Sequence, residues 1–459
     1  MNTQTQYFSL SHVADILSVS KRTVEAWKRN GRIKFMPLTD YADGVCAGTE
    51  LEQFPEFSQF IHTTWDQEMT VRPLRRYRSI ELFAGSGGLA LGLEQAGFDA
   101  VLLNEWNHDA CATLRANRPY WNVVEGDIAD IDFSPYAGAI DMVSGGFPCQ
   151  AFSYAGKQLG FEDTRGTMFY QFARAIKEIQ PRFFVGENVR GLLTHDNGRT
   201  LATVRQIIAG LGYTLVEPRV LKAIFYQVPQ KRERLFFVGI RNDLVDKTAF
   251  TWPAPCPRLY TIKDALKAGS LFKTDCPVAP GQAYPPRKRD VMRHVPPGGY
   301  WRDLPLTMQK SYMKGSFYLG GGKTGMARRL AWDEPSLTLT CAPAQKQTER
   351  CHPEETRPLN TREYARVQTF PDDWVFKGSV NSIYKQIGNA VPVNLAHAMG
   401  RALVRLLNQA ENGVLLQPLP LYSFDAKGAL LFVCEKKNRS RGRRSVDTPK
   451  TKTKKKGTK

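Results

Sequence analysis

The chain has 459 residues, of which 42% are hydrophobic, 23% charged and 11% aromatic. That composition excludes a collagen-like or wholly disordered polymer and leaves room for a sizeable core in about two to four domains. No apolar run approaches the ~20 residues that cross a bilayer. Met1–Leu10 has neither the charged nor the apolar region of a secretory signal. The eight cysteines form no CxxC pair, which points to a reducing, cytoplasmic setting. The net charge of +19 is uneven: residues 436–459 carry +11, residues 250–350 carry +9, and residues 1–78 only +1. A near-neutral core with two basic appendages calls for a polyanionic partner.

Residues 8–34 read as a helix-turn-helix. Ser11 can cap a first helix carrying Val13, Ile16 and Leu17, Ser18-Val19-Ser20 makes the turn, and Ser20 caps a second helix from Lys21 to about Arg29. Lys21, Arg22, Lys28 and Arg29 are then available to phosphates. The pattern resembles the small DNA-binding modules of bacterial repressors and excisionases, and that resemblance implies an autoregulatory role. Residues 35–70 show little periodicity and read as an annex or linker. Apolar runs at Ser79–Ala84, Val101–Asn104, Ile140–Ser144, Phe183–Gly186 and Leu235–Ile240 then alternate with helical stretches at Leu89–Gly97, Phe169–Ile179 and Leu201–Leu211. Such alternation predicts an α/β fold with a doubly wound, mostly parallel, Rossmann-like sheet. Residues 250–350 are rich in Pro, Gly and basic side chains, with strands expected at Arg329–Thr340. A long amphipathic helix follows Pro392, with Leu395, Met399, Leu403 and Leu406 on one face. A hairpin around Lys427-Gly428 is the last expected element, and the basic segment 436–459 reads as a disordered tail.

The first strand ends in Leu82-Phe83-Ala84-Gly85-Ser86-Gly87-Gly88 and opens a helix, a place where backbone amides meet a carboxylate or phosphate. Glu105 ends the next strand, where an acid can accept from both hydroxyls of a ribose. Trp106 can stack on an adenine, and Asp127, beside Ile128, can accept from its amino group. On this segment alone a nicotinamide dinucleotide remains an alternative ligand. Gly145-Gly146-Phe147-Pro148-Cys149-Gln150 follows the fourth strand and puts a thiol at the carboxyl edge of the sheet, where a soft nucleophile can add to an electron-poor ring carbon. Glu187-Asn188-Val189 follows the fifth strand at that edge. Gln230, Arg232 and Arg234 precede the sixth.

With Arg357-Pro358-Leu359-Asn360-Thr361-Arg362-Glu363, Arg366, Gln368, Phe370-Pro371 and Gln386-Ile387-Gly388-Asn389-Ala390-Val391-Pro392, these blocks resemble the bacterial DNA cytosine-5 methyltransferases from Ser79 to about Val404. The resemblance implies transfer of a methyl group from S-adenosylmethionine to carbon 5 of a flipped-out cytosine in a specific double-stranded DNA sequence, with a restriction endonuclease as functional partner. It implies catalysis by Cys149, Glu187, Arg232 and Arg234. Phe83, Gly85, Gly87, Asn389 and Val391 would line the methionine end of the cofactor; Glu105, Trp106, Asp127 and Ile128 would hold ribose and adenine. Ser153, Gln158 and Arg165 would lie on a mobile loop from Gln150 to Gly166 and touch DNA. The target-recognition region would add Arg287, Lys288, Arg289, Lys323, Arg328 and Arg329.

The expected organisation is an N-terminal module and linker (1–70), a catalytic domain (78–241), a smaller recognition domain of strands and irregular structure (242–355), returning family blocks (356–410), an annex (411–435) and the tail (436–459). A monomer, no membrane association and no metal are expected. Cys341, Cys351 and His352 do not have the spacing of a zinc site. Two positions depart from the family pattern: Glu81, where Asp is more usual, and Gln227, where Gly often precedes Val-Pro-Gln.

Overall fold

The structure, a computed structural model, describes residues 6–38, 41–148, 168–321, 323–412, 422–424 and 430–432. The N-terminal stretch has its own small core. Strand β1 (Tyr7–Ser9) leads into helices α1 (Leu10–Leu17) and α2 (Lys21–Arg29), followed by β2 (Met36–Leu38) and β3 (Tyr41–Ala47). Ser9, not Ser11, caps α1 by accepting from the His12 amide, while Ser20 caps α2 by accepting from that of Thr23. Ser18 takes the left-handed conformation that ends α1. Of the two readings of residues 35–70, annex or linker, the described part is a packed annex: β3 pairs antiparallel with both β1 and β2, and α3 (Gly48–Leu51), α4 (Pro55–Ile61) and α5 (Trp65–Met69) follow. Phe8, Val13, Ile16, Val24, Phe57 and Phe60 fill the space between them.

The main sheet comprises β4 (Tyr77–Leu82), β5 (Phe98–Glu105), β6 (Val123–Glu125), β7 (Met142–Gly145), β8 (Phe183–Val189), β9 (Tyr213–Leu215), β10 (Arg219–Lys222) and β12 (Glu233–Arg241), with the two-residue β11 (Gln230–Lys231) just before β12. Its order is β10-β12-β8-β7-β4-β5-β6, with β9 also on β12. The pairs from β6 through β8 are parallel, as expected; β12 runs antiparallel to β8, so the sheet is mixed. Strands β4, β7 and β8 are buried over most of their length on both faces, which is why they read as unbroken apolar runs. Helices α6 (Gly88–Ala96), α7 (His108–Asn117), α8 (Met168–Ile179) and α9 (Arg199–Gly210) connect them. Alternate strand residues point into separate cores: Tyr77, Met142, Phe183 and Val185 on the α6 side, and Ile80, Leu82, Val143 and Phe184 on the α8 and α9 side.

Residues 242–355 hold short helices α10 (Ile262–Leu266), α11 (Pro286–Met292) and α12 (Leu306–Met313) in irregular chain. The strands expected over Arg329–Thr340 reduce to β13 (Ser336–Leu337), parallel to β11, and an isolated bridge from Arg329 to Cys351. A core of Met292, Trp301, Met313 and Met326 and the buried Arg329 guanidinium organise this region instead.

Helices α13 (Thr361–Val367), α14 (Val380–Asn389) and α15 (Val393–Asn412) return to the sheet. Gly92 lets α15 approach α6 so closely that a Cβ there would lie 2.4 Å from that of Ala396. Arg366, fully buried, pairs with Asp372 and donates to the carbonyls of Ala265 and Thr274, pinning α13 to the recognition region. Separately, β14 (Tyr422–Phe424) pairs antiparallel with β15 (Leu430–Phe432). Lys427-Gly428 and 436–459 lie outside the described residues.

Candidate active site

The turn after β4 is built for close backbone approach. Phe83 and Gly85 both have positive φ, and a Cβ on Gly85 would meet nothing within 4 Å, so its face is open. A Cβ on Gly88 would fall 2.2 Å from the Val391 carbonyl, and one on Gly87 would strike Leu114 and Trp374. Only glycine can join this strand to this helix while the last third of the chain presses on it. With no side chain at the cap of α6, buried Glu81 bonds to the Ala90 backbone and satisfies an orphan donor of the first turn.

Glu105 ends β5 with its carboxylate fixed: Oε2 accepts from the Gly85 amide at 2.8 Å, and Oε1 from the amides of Trp106 and Asn107. A carboxylate has about four acceptor positions, so Glu105 keeps capacity for a hydroxyl. Trp106 is 80% exposed beside it. Asp127 is exposed and accepts from the Ala129 amide through Oδ1, and Ile128 is buried under it. Gly126, at φ 142, leaves open space at the same edge. Asn389 is exposed and accepts from the Cys341 thiol; Val391 is buried against Gly88. An open glycine turn, a fixed carboxylate, an exposed indole and a second acid make a donor set that fits an adenosine linked to a charged amino acid.

Across the same edge, β7 and β8 end side by side. Glu187 forms an ion pair with Arg234, Nε to Oε1 at 2.7 Å, diagonally across the antiparallel β8–β12 pair. Burial pushes the Glu187 carboxyl above its usual range, against the opposing pull of Arg234 and Arg232. A Cβ on Gly146 would sit 2.9 Å from Glu187 Oε2. Asn188 donates to the Phe147 carbonyl at 2.9 Å, and the Phe147 ring packs against Phe169, Phe172 and Phe237. Thus the Gly-Phe-Pro segment is anchored to the glutamate strand up to Pro148. Cys149, Ser153, Gln158 and Arg165 lie outside the described residues.

Arg232 is 1% exposed, donates to the carbonyls of Leu339 and Gly388, and leaves its Nε without an acceptor. It ties β12 to the β13 segment and to α14, whereas Arg234 faces Glu187. A cleft of about 530 Å³ opens beside them, lined by Arg190, Lys222, Lys231 and both arginines, and by Ala14, Asp15, Ser18 and Val19 of the N-terminal helices.

The recognition-region cations divide. Arg287 and Arg289 are exposed on α11. Lys288 pairs with the buried Glu349, and Arg328 reaches Glu334. Arg329 gives its donors to protein oxygens, including the carbonyls of Met292, Val295 and His352. Lys323 donates to the carbonyls of Ser316 and Leu319, stapling a bend whose tip exposes Tyr318 (78%) and Leu319 (67%). That apolar pair escaped the charge-based reading; its signal was a Tyr-Leu followed by glycines inside a basic region.

The family model for C-5 cytosine-specific DNA methylases matches residues 77–405. The Type II methyltransferase M.PspPI of Psychrobacter sp. (strain TA137) is 61% identical over 410 residues, 89% of this chain and 98% of that one. M.Eco47II of Escherichia coli is 59% identical over 409 residues, with the same shares. An alignment over 89% of this chain is longer than everything from Tyr77 onward, so both reach into the N-terminal module. The solved structure of a DNA modification methyltransferase encoded within an E. coli prophage covers 72% of this chain and 99% of its own, at 25% identity and a TM-score of 0.52. The chain belongs to the C-5 cytosine-specific DNA methylases and is a DNA (cytosine-5) methyltransferase that uses S-adenosylmethionine.

Proposed function

We propose that the enzyme methylates one cytosine in a specific duplex sequence by covalent catalysis through Cys149, and that it protects DNA from a partner restriction endonuclease. The reading is carried by the Glu187–Arg234 ion pair, held against Gly146 three residues before that cysteine. Its relatives named as Type II methyltransferases support the restriction–modification setting.

Carbon 5 of cytosine is too weak a nucleophile to take a methyl group unaided. In the proposed sequence the Cys149 thiolate forms a bond to carbon 6, and the ring electrons move toward N3. Glu187, whose proton affinity burial raises against the pull of Arg234, donates a proton to N3 as that charge develops. Arg234 fixes the carboxyl and offers guanidinium donors to O2. Carbon 5 then carries the nucleophilic electron pair. S-adenosylmethionine, when bound, supplies an electrophilic methyl group. Loss of the carbon 5 proton to solvent, with the N3 proton returning to Glu187, expels Cys149 as thiolate and restores the aromatic ring. Gly85, Glu105, Trp106 and Asp127 are the residues proposed to hold the donor. A base stacked in a duplex cannot reach this edge, so the cytosine must be extruded.

Cys149→Ser should abolish methyl transfer and retain DNA binding; normal turnover by that variant rejects the mechanism. A duplex with 5-fluorocytosine at the target should trap a covalent adduct, because fluorine cannot leave as a proton. Bisulfite sequencing of DNA from expressing cells identifies the target sequence.

A further inference from the structure

The segment Gln230–Arg234 has two working faces. Arg232 and Arg234 point toward Gly388 and Glu187, on the side of the reaction centre. The intervening residues point the other way, as side-chain alternation in extended chain requires. Lys231 forms an ion pair with Asp15 of α1, and Glu233 lies within hydrogen-bonding reach of the Ser18 hydroxyl. Lys222, opposite Glu233 on β10, donates to the Ile16 carbonyl, and Lys21 of α2 pairs with Glu334, two residues before β13. The α1–α2 pair is therefore docked on the back of the strand that carries Arg234.

Two features follow from this docking. Lys21 at the start of α2 and Lys28, which donates to the Asp43 carbonyl, are already engaged within the chain. An autonomous reader that inserts the start of α2 into a groove would need Lys21 free. The α1–α2 turn also forms a wall of the cleft beside Arg234, whose lining carries five cations against two carboxylates, Asp15 and Glu233. Such a lining favours an anion.

The geometry points to a role in cis: the α1–α2 turn is a fixed wall of the DNA cleft, and the cleft takes the phosphate backbone of the target strand next to the extruded cytosine. Arg190, largely exposed and paired with Glu233 at the rim, turns to the phosphate, with the Ser18–Ser20 turn beside it. The inference rests on Glu187 and Arg234 marking the reaction centre.

The test uses the full-length chain and a fluorescent duplex carrying the mapped target sequence. Ser18 is exposed, so a charge is introduced there in both signs. Ser18→Glu should weaken the Kd about tenfold and Ser18→Arg should tighten it severalfold, measured well below the thermal midpoint of either variant. Arg190→Ala should lower the slope of log Kd against log salt by about 0.9, one phosphate contact. Arg29→Glu, at the far end of α2, should change the Kd less than about twofold. Two equal Kd values for the Ser18 pair overturn the proposal, as does an Arg29→Glu effect as large as that of Ser18→Glu. Glu187→Gln is the separate control: if it turns over normally while the Ser18 variants shift Kd in opposite senses, the reaction-centre assignment fails and the cleft assignment does not.

Discussion

Glu187 and Gly146 meet where two neighbouring parallel strands end, with the carboxylate 2.9 Å from the point a Cβ on Gly146 would occupy. The glycine is thus a requirement of the glutamate's position. Gly146→Ala should push the carboxylate off its line to Arg234 and lower kcat about 10²-fold while leaving the Kd for DNA close to that of the parent. Single-turnover methyl transfer and anisotropy, measured together, check the split.

The donor role proposed for Glu187 carries a pH dependence. Burial raises its pKa, so the protonated, donating form persists above the usual carboxylate range. Methyl transfer should fall as pH rises through that raised value. Glu187→Gln should lose this alkaline limb and about 10²–10⁴ of the rate, which a pH–rate profile reads directly.

Glu81 makes a stability prediction of known sign. Burial lifts its pKa from 4.5 to about 8. Between those values the folded state holds a proton that the unfolded chain has released, so stability declines as pH rises through this window. Glu81→Gln keeps an acceptor for the Ala90 amide and cannot ionise. Urea unfolding at pH 5 and pH 8 should show the variant gaining about 2–4 kcal/mol on the parent across the interval.

Gln227 occupies the left-handed region at φ 57, which explains why glycine suits that position. Gln227→Gly should stabilise the fold by about 0.5–1 kcal/mol, the relieved strain exceeding the added chain entropy. Equal or lower stability would show that the 3.4 Å contact from Gln227 to the Tyr260 hydroxyl outweighs the strain.

Tyr318 and Leu319 project from the Lys323-stapled bend. Tyr318→Ala and Leu319→Ala should each raise the KM for DNA about tenfold, with stability held within about 0.5 kcal/mol because both side chains are exposed. Lys323→Met should release the two carbonyls and reproduce the KM effect without removing either side chain.

The sheet was legible because buried parallel strands and amphipathic helices differ in period, and β4, β5, β7 and β8 fall where the apolar runs lie. The antiparallel course of β12 was hidden, since a buried strand reads the same in either direction. Residues 35–70 read as an annex or linker because β2 has only three residues and β1, the outer partner of β3, lies some 30 positions earlier in the chain. The reaction-centre blocks stood out as compact runs of unusual residues. Lys288, Lys323 and Arg329 show the limit of reading charge: a cation advertises donors, but its acceptors here are Glu349 and protein carbonyls. Those acceptors are assembled only by the folded chain.

Val391 and Trp374 close over Gly88 and Gly87, so the glycine turn proposed to hold the methyl donor is completed by residues some 290 to 300 positions downstream. During translation the N-terminal half emerges long before its lid has been made. A polypeptide that ends before Trp374 lacks both of these partners, so the glycine turn reaches its final packing only late in synthesis.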